Sequence, residues 1–449
     1  MSVCSPNRVK KRYFYAVPSQ KPRTIAYRVL QRREEGRDYT ENLFRMEIAA
    51  VHPSAEDRRL AQELTYGVAR WERTLDWLID RKTQGRQQKK GLRTLLRLGL
   101  YQVFWLDRIP DHAAVHETVQ LGKELGFDPQ SGFLNAVLRG YIREKDQTHG
   151  LLNRLKEEEP AVAWSHPDEL CDRWRERWGE EPLNALMEWN NTPPPTCARL
   201  NTLRTTTREL EALWREEGVK ATPAALSWEK APAWRLDAHP PLESLESFRR
   251  GMFYIQDPST LLAVMALDPQ PGETILDLCA APGGKTTLIA QCLENDGRVV
   301  ATDIDPERLQ QVEENAVRLG ATCVETWNLN QTLKARKPEP TFDRILIDAP
   351  CSNTGVIRRR VDARWRSGPQ AVEELRSTQL GLLKQAAAWL RPGGRICYST
   401  CSLEPEENRG VVFEFLKKAP QFTLATDRQL LPFIDRVDGA YCAVLDEGP

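Results

Sequence analysis

Apolar residues in the first part of the chain recur with the period of an α-helix. Over residues 24–144 they follow the spacing i, i+3, i+4 and i+7, which places them on one helical face. Pro53, Pro110 and Pro129 interrupt the pattern with loops. Residues 23–145 are therefore predicted to form an all-α bundle of about six helices. The periodic segments are IAYRVLQRR, ENLFRMEIAAV, EDRRLAQELTYGVARWERTLDWLIDR, KGLRTLLRLGLYQVFWL, HAAVHETVQLGKELG and SGFLNAVLRGYIRE.

The pattern becomes a mixture of helices and short extended pieces over residues 146–250. A charged stretch, EKDQTHGLLNRLKEEEP, is predicted to be a connecting helix or linker. Two helical segments with Trp174, Trp178 and Trp189 follow, and then a strand TCARLN, a helix TTTRELEALWREEG and the extended piece PAWRLD. We interpret this region as a small α+β domain with the tryptophans in its core. Base-stacking platforms are the alternative interpretation of these tryptophans.

Helices and short apolar strands alternate over residues 251–449. The predicted strands include ETILDL, GRVVATD, TCVETW, FDRILID and GRICYS. Repeated βα units predict a doubly wound, Rossmann-like parallel sheet with right-handed crossovers. The closing segment IDRVDGAYCAVL is predicted to be a pair of strands with a turn at Asp438 and Gly439. Such a pair would give the sheet an antiparallel C-terminal edge.

Charge is balanced over the whole chain but not along it. The 449 residues contain 63 Lys+Arg and 63 Asp+Glu, so the net charge excludes no class of partner. No acidic residue precedes Glu34, whereas basic residues are frequent there. Residues 1–22 are predicted to be a basic arm that binds phosphate. A solvated tail is the alternative.

The cysteines indicate a reducing compartment. None of the ten lies in a C-x-x-C pair, and the first residues lack the apolar segment of a signal peptide. No run of about 18 apolar residues is present to span a membrane. A cytoplasmic protein with reduced thiols is expected. Cys397 and Cys401 have no further His or Cys pair to complete a zinc site, so no metal is predicted.

A glycine turn follows the strand ETILDL. Pro282, Gly283 and Gly284 open a helix near Lys285, where small residues and unpaired N–H groups let a ligand approach the backbone. The patterns G-x-x-x-x-G-K-[ST] and G-x-G-x-x-G are absent. Asp303 ends the next strand, where an acidic side chain binds ribose hydroxyls in this topology. The nucleoside that fits is S-adenosylmethionine; a turn kept for packing is the alternative.

Two cysteines follow different predicted strands. Cys351 in ILIDAPCSNTG and Cys401 in ICYSTCSLEPEEN would meet the glycine turn at the carboxyl edge of the sheet. A thiolate there can add to carbon 6 of cytosine, so that carbon 5 attacks a methyl sulfonium. If Asp348 is protonated, it is placed to donate a hydrogen bond to nitrogen 3 of the cytosine; if not, it can accept one from the exocyclic amine. Lys285 offers a second hydrogen-bond donor. Inert core cysteines are the alternative.

Three motifs carry a family resemblance. DLCAAPGGKT, DAPCS-x-TG and STCS followed by PEEN resemble the RNA 5-methylcytosine methyltransferases. IPDHAAVHETVQLGKELG and FLNAVLRG in the helical region resemble a NusB-like RNA-binding domain. The pairing is similar to the bacterial ribosomal RNA small-subunit (cytosine-5) methyltransferase B group, Sun/Fmu, of the RsmB/NOP family.

The resemblance implies a class I methyltransferase fold for residues 251–449 and an RNA-binding role for residues 146–250. It implies that Cys401 is the nucleophile and that Cys351 assists product release. Asn328 stands where the family usually has Asp near the adenine. The implied cofactor is S-adenosylmethionine, and the implied partner is 16S ribosomal RNA with an unpaired or flipped cytosine. The expected cofactor pocket consists of Cys279, Ala280, Ala281, Pro282, Gly283, Gly284, Lys285, Asp303, Asn328 and Asp348.

A basic segment follows the Cys351 loop. Its arginines suit phosphate contacts and its tryptophan suits stacking on an unpaired base, whereas a solvated charged helix is the alternative. Transfer RNA methylation and a non-catalytic RNA-binding assembly factor are the alternative functions. We expect a monomer. The residues concerned are Arg358, Arg359, Arg360, Arg364, Trp365 and Arg366.

Overall fold

The computed structural model of the chain describes residues 21–36, 38–224, 233–328 and 341–448. The chain divides into two units, Met1–Ser165 and His166–Pro449. No helix within the described ranges combines the length and the apolar character needed to cross a membrane.

The first unit is a bundle of α-helices. In its described residues they are α1 (Pro22–Glu35), α2 (Thr40–Val51), α3 (Ala55–Arg70), α4 (Glu72–Thr83), α5 (Lys90–Trp105), α6 (Asp111–Glu124), α7 (Ser131–Arg143), α8 (Lys145–Glu158) and α9 (Pro160–Ala163). Helix α5 is buried along nearly all of its length and packs against α1, α3, α4, α6 and α7. Ile25, Phe44 and Ala61 join the first three helices in one apolar cluster. The predicted all-α bundle is confirmed.

Basic side chains at the start of the first unit bind partners within the bundle. Lys21 Nζ lies 2.8 Å from the Glu124 carboxylate, and Arg33 Nη1 lies 2.7 Å from that of Glu72. Arg23 donates to the side chain of Gln102. These residues brace α1 against its neighbours. The remainder of the predicted basic arm, residues 1–20, lies outside the described residues.

The second unit begins with a small α+β region. Its elements are α10 (Asp168–Trp178), α11 (Glu180–Asn191), β1 (Thr196–Leu200), α12 (Thr207–Glu216), β2 (Lys220–Pro223), β3 (Ala233–Ala238), α13 (Glu246–Arg249) and β4 (Phe253–Ile255). The strands pair antiparallel in the order β2-β3-β1-β4. Trp214, Trp234 and Phe253 pack in the core of this region. Trp174 is fully buried, as predicted for a core side chain.

A larger sheet of seven strands forms the rest of the second unit. Its order is β10-β11-β9-β8-β5-β6-β7; the pairs from β9 to β7 are parallel, and β11 and β10 are antiparallel. This confirms the predicted doubly wound sheet with an antiparallel C-terminal edge. The elements are α14 (Leu261–Leu267), β5 (Thr274–Asp277), α15 (Gly284–Cys292), β6 (Arg298–Asp303), α16 (Pro306–Leu319), β7 (Val324–Asn328), β8 (Phe342–Asp348), α17 (Pro369–Trp389), β9 (Leu390–Thr400), α18 (Arg409–Lys418), β10 (Phe422–Leu430), α19 (Pro432–Asp435) and β11 (Ala440–Glu447).

The antiparallel edge is built from a different first strand than the sequence pattern predicted. The segment before Asp438 is not a strand, because Pro432 opens α19 and the Asp435 carboxylate accepts from the backbone N–H of Leu431. Strand β10 lies earlier, and it pairs with β11 from Phe422↔Glu447 to Leu430↔Ala440. A nine-residue connection therefore replaces the predicted tight turn.

A buried ion cluster joins three segments of the second unit. Asp438, which is fully buried, binds the Nε atoms of both Arg358 and Arg359. Arg359 Nη2 also lies 2.6 Å from Oδ2 of Asp257, after β4. The Arg358 guanidinium stacks 4.0 Å from the ring centroid of Trp189 in α11. The carboxylates and guanidinium groups of this cluster thus satisfy one another's charges and hydrogen bonds, at the place where the small α+β region meets the seven-stranded sheet.

Replacing Asp438 by Asn should destabilise the second unit, because two guanidinium groups would then share one carboxylate in a buried site. We expect a loss of about 3 kcal/mol in the free energy of unfolding, seen as a lower urea midpoint. Glu246→Gln is the matched control, because its bond to Arg249 is 2.8 Å long but exposed, and it should cost less than about 1 kcal/mol. Equal midpoints for the two variants would contradict a structural role for the cluster.

Candidate active site

Strand order brings the predicted chemistry to one edge of the large sheet. Strands β5, β8 and β9 are parallel neighbours, so the loops that follow them leave from the same edge. These loops contain Cys279, Cys351 and Cys401. The Sγ atoms of Cys351 and Cys401 lie 3.2 Å apart, although the residues are 50 positions apart in the chain. The structure therefore brings both predicted thiols into contact.

The two thiols have different surroundings. Cys351 is buried, and its hydrogen bond with Cys401 together with burial raises the pKa of Cys351 well above its ordinary value. Cys401 is partly exposed, and its Sγ lies 3.2 Å from Oδ1 of Asn353. Asn353 has a φ of 61°, and its side-chain amide also donates to the carbonyl of Cys351. A buried protonated thiol thus stands behind an accessible one.

The buried carboxylate of Glu407 holds the two cysteine loops together. It accepts from the backbone N–H of Ser352 at 2.9 Å and from the hydroxyl of Ser402 at 2.6 Å, so residues next to each cysteine bind one side chain. The hydroxyl of Ser352 and Nε2 of Gln379 donate to it as well. Four donors satisfy a carboxylate that has no access to solvent.

Further contacts brace the same loops. The Asn408 side chain accepts from Thr400 and donates to the carbonyl of Ser402. The N–H of Gly355 donates to the carbonyl of Cys401 at 2.9 Å. A Cβ at Gly355 would lie 2.7 Å from that carbonyl oxygen, closer than real Cβ contacts, so glycine permits this approach. Glu407 and Asn408 belong to the PEEN motif, but their positioning role was not predicted from the sequence.

An ion pair lies beside the thiols. Lys285 Nζ is 2.6 Å from Oδ2 of Asp348. Burial alone would lower the pKa of Lys285, but the Asp348 carboxylate outweighs burial and raises it. Asp348 accepts a hydrogen bond from the ammonium group of Lys285. This geometry favours Asp348 as an acceptor from the exocyclic amine of the base over Asp348 as a protonated donor to nitrogen 3.

The glycine turn connects β5 to α15 at the same edge. Gly283 has a φ of 99°, which glycine adopts without strain, and a Cβ at Gly284 would lie 2.9 Å from the ring of Tyr254. Asp277, at the end of β5, is fully buried and accepts from the hydroxyl of Thr286. Burial raises the pKa of Asp277 to about 7. Its second oxygen, Oδ1, has no hydrogen-bond partner among the described residues.

The remaining residues of the predicted cofactor pocket lie at the ends of the next two strands. Asp303 and Asn328 are register partners at the last positions of β6 and β7. The N–H of Ala280 donates to the carbonyl of Thr302, so the glycine turn adjoins the end of β6. Asp303 is buried, and its Oδ1 accepts from the N–H of Asp305. The structure therefore places Asp303 and Asn328, two residues of the predicted cofactor pocket, at the sheet edge beside the glycine turn.

The prediction that the arginine segment contacts RNA is wrong for two of its members. Arg359 is not one of them, because its side chain is 31% exposed although it binds Asp257 and Asp438. Arg358 is buried in the ion cluster, and Arg364 is buried with Nη1 donating to the side chain of Asn191. These side chains point inward because the segment packs against α11 and the connection before β11. Arg360 and Trp365 are exposed, and for them and for the partly exposed Arg366 RNA contact stays a prediction.

Comparison with known proteins places the chain in a family. Residues 264–442 match the family described as 16S rRNA methyltransferase RsmB/F, residues 20–143 match the NusB family, and residues 166–230 match the RsmF/B-like ferredoxin-like domain. The probable ribosomal RNA small subunit methyltransferase B of Bacillus subtilis (strain 168) is 33% identical over 410 residues, 89% of each chain. The chain belongs to the RsmB/F family of 16S rRNA methyltransferases.

Other relatives of this RsmB/F member agree. The ribosomal RNA small subunit methyltransferase B of Cronobacter sakazakii is 37% identical over 392 residues, 86% of this chain and 88% of that one. A solved methyltransferase homolog protein from Pyrococcus horikoshii is 30% identical with a TM-score of 0.56, covering 64% of this chain and 97% of that one. The crystal structure of PH0851, at 22% identity, shows a similar fold, with a TM-score of 0.77 over 96% of this chain and 99% of that one. The family resemblance carried by the three motifs is confirmed.

Replacing Glu407 by Gln in this RsmB/F member should loosen both cysteine loops, because one acceptor oxygen becomes an amide donor facing other donors. We expect a loss of about 1 to 3 kcal/mol in the free energy of unfolding, measured by urea titration of tryptophan fluorescence. Glu406→Gln is the matched control, since the adjacent Glu406 side chain is 55% exposed and should tolerate the change. If E407Q were as stable as E406Q, the carboxylate would not hold the loops.

Proposed function

We propose that this chain transfers a methyl group from S-adenosylmethionine to carbon 5 of a cytosine in 16S ribosomal RNA, through a covalent bond between Cys401 and the base. The observation that carries the proposal is the contact between an accessible and a buried thiol beside the Lys285–Asp348 pair. Membership of a 16S rRNA methyltransferase family supports the class of substrate.

The residues around the glycine turn fit S-adenosylmethionine. Asp277, Asp303 and Asp348 form an acidic set that suits the positive sulfonium and ammonium groups, and Oδ1 of Asp277 lacks a partner among the described residues. Backbone N–H groups at the start of α15 would hold the carboxylate, Asp303 would bind the ribose hydroxyls and Asn328 would contact the adenine. When bound, the cofactor supplies an electrophilic methyl group.

The side chains suit a covalent route to carbon 5. The Cys401 sulfur, which is partly exposed, adds to carbon 6 of the cytosine. Asp348 accepts from the exocyclic amine and orients the ring. After methyl transfer, a base such as solvent water takes the carbon-5 proton, the ring double bond re-forms and the Cys401 sulfur leaves. The Cys351 thiol, 3.2 Å away, donates a hydrogen bond to the leaving thiolate.

The reaction also requires that the target cytosine is not paired within an RNA helix. A cytosine paired in a helix cannot bring carbon 6 to a thiol, so the target must be unpaired or flipped out. The exposed Arg360 and Trp365 offer charge and an aromatic face for the surrounding strand. Transfer RNA methylation and a non-catalytic assembly role have no specific observation in their favour.

The purified protein should produce 5-methylcytidine in 16S ribosomal RNA when supplied with isotopically labelled S-adenosylmethionine. Digestion of the RNA to nucleosides followed by mass spectrometry checks both the base and the position of the label. Cys401→Ala should abolish incorporation, because the sulfur that is proposed to add to carbon 6 is then missing. A different methylated nucleoside, or preferred labelling of transfer RNA, would overturn the proposal.

Replacing Cys351 by Ala should slow release of the methylated RNA, because the leaving Cys401 thiolate loses its neighbouring donor. We expect a protein–RNA adduct that survives a denaturing gel and that disappears in the C351A/C401A double variant. Cys323→Ala, a thiol near β7 and outside the site, is the control and should leave no adduct. Rapid turnover without an adduct in C351A would contradict the release role.

A further inference from the structure

Arg199 is a buried cation without an acidic partner among the described residues. It lies in β1 of the small sheet and is 1% exposed. Its Nη1 donates to the carbonyl of Gly284 at 2.9 Å, and its Nη2 donates to the hydroxyl of Thr287 at 3.2 Å. Its Nε has no partner in the described structure, and the guanidinium carbon lies 5.6 Å from the ring centroid of Tyr254.

Burying such a charge lowers the stability of the folded protein. Removing a cation from water without a counter-ion carries a penalty of several kcal/mol, and neutral acceptors return only part of it. Burial lowers the pKa of Arg199 to about 10, so the side chain still carries its proton at neutral pH. Arg358 in the same unit is also buried, but it has the carboxylates of Asp257 and Asp438 as partners. The hydrogen bonds of Arg199 to neutral acceptors do not by themselves require a charged side chain.

The charge acts on the first turn of α15. This turn begins at Gly284, and its N–H groups are a place where anions bind. The positive charge of Lys285 is offset by Asp348 at 2.6 Å, so Lys285 adds little to this attraction. Arg199 is thus a buried positive charge at the start of the helix that no contacting acid offsets in the described residues.

The opposite side of the glycine turn carries negative charge. Asp277 and Asp303 end two neighbouring strands, β5 and β6, at this edge, whereas the charge of Asp348 is offset by Lys285. Burial and the carboxylates of Asp348, Asp277 and Asp303 raise the pKa of the Cys279 thiol, so these groups act on the turn. A zwitterion placed here would turn its carboxylate toward the start of α15 and its cationic groups toward the acids.

We propose that Arg199 is a positioning residue that orients the amino-acid end of S-adenosylmethionine by attracting its carboxylate to the start of α15. The inference rests on the cofactor of the proposed function. It also links the small sheet to the cofactor site, because the side chain belongs to β1 while its contacts belong to α15.

The test compares two ligands that differ only in the carboxylate. Dissociation constants of the full-length protein for S-adenosylmethionine and for decarboxylated S-adenosylmethionine are measured by titration calorimetry. Arg199→Met keeps the length and apolar packing of the side chain but removes the charge. We expect it to weaken S-adenosylmethionine binding about tenfold and to leave binding of the decarboxylated ligand within about twofold. Arg199→Lys keeps the charge and should weaken S-adenosylmethionine binding by less than about threefold.

The outcomes separate orientation from simple packing. If Arg199→Met weakened both ligands equally, or neither of them, the inference would be overturned. Arg199→Gln gives a second uncharged variant with hydrogen-bonding capacity, and the same selective loss is expected should the Met variant not fold. If the wild-type protein bound neither ligand, the proposed cofactor would be overturned and the inference with it.

Discussion

The contact between the buried Glu407 carboxylate and the two cysteine loops is the interaction on which the candidate site depends. Cys351 and Cys401 follow neighbouring strands, but strand pairing alone does not bring two side chains within 3.2 Å. Ser352 and Ser402, one residue after each cysteine, both bind Glu407, so a single side chain sets the spacing of the loops. Since the carboxylate is fully buried, its donors have no water to replace them.

Charges near the sheet edge fall into two groups. In the first group every charge has an opposite partner in contact, as in the cluster of Asp257, Arg359 and Asp438, and these groups hold segments together. In the second group a buried atom lacks a partner in the described structure, as with Oδ1 of Asp277 and Nε of Arg199. These two atoms lie beside the glycine turn. Their unfavourable burial is consistent with a ligand that carries both signs of charge.

The sequence pattern predicted the elements better than the contacts between them. Helical periodicity identified the bundle around α5, and alternating helices and strands identified the sheet, because each depends on residues close in the chain. The burial of Arg358 and Arg364 could not be predicted, since their partners are at least 80 positions away. The same holds for Glu407 and Ser352, 55 positions apart. The edge strand was misplaced because Pro432 and Asp435 form α19 where a strand was predicted, while β10 lies earlier at Phe422–Leu430. The motifs carried the candidate thiols, whereas the uncompensated charge of Arg199 became visible only from its surroundings.

The most direct test of the account is to trap the covalent step on the RNA. In 16S ribosomal RNA that contains 5-fluorocytidine, carbon 5 carries fluorine in place of the proton that must leave, so the bond between sulfur and carbon 6 cannot be released after methyl transfer. Peptide mapping by mass spectrometry then locates the attached nucleotide. A methylated fluorocytidine is expected on Cys401 and none on Cys351. Attachment at Cys351, or methylation without any covalent product, would contradict it.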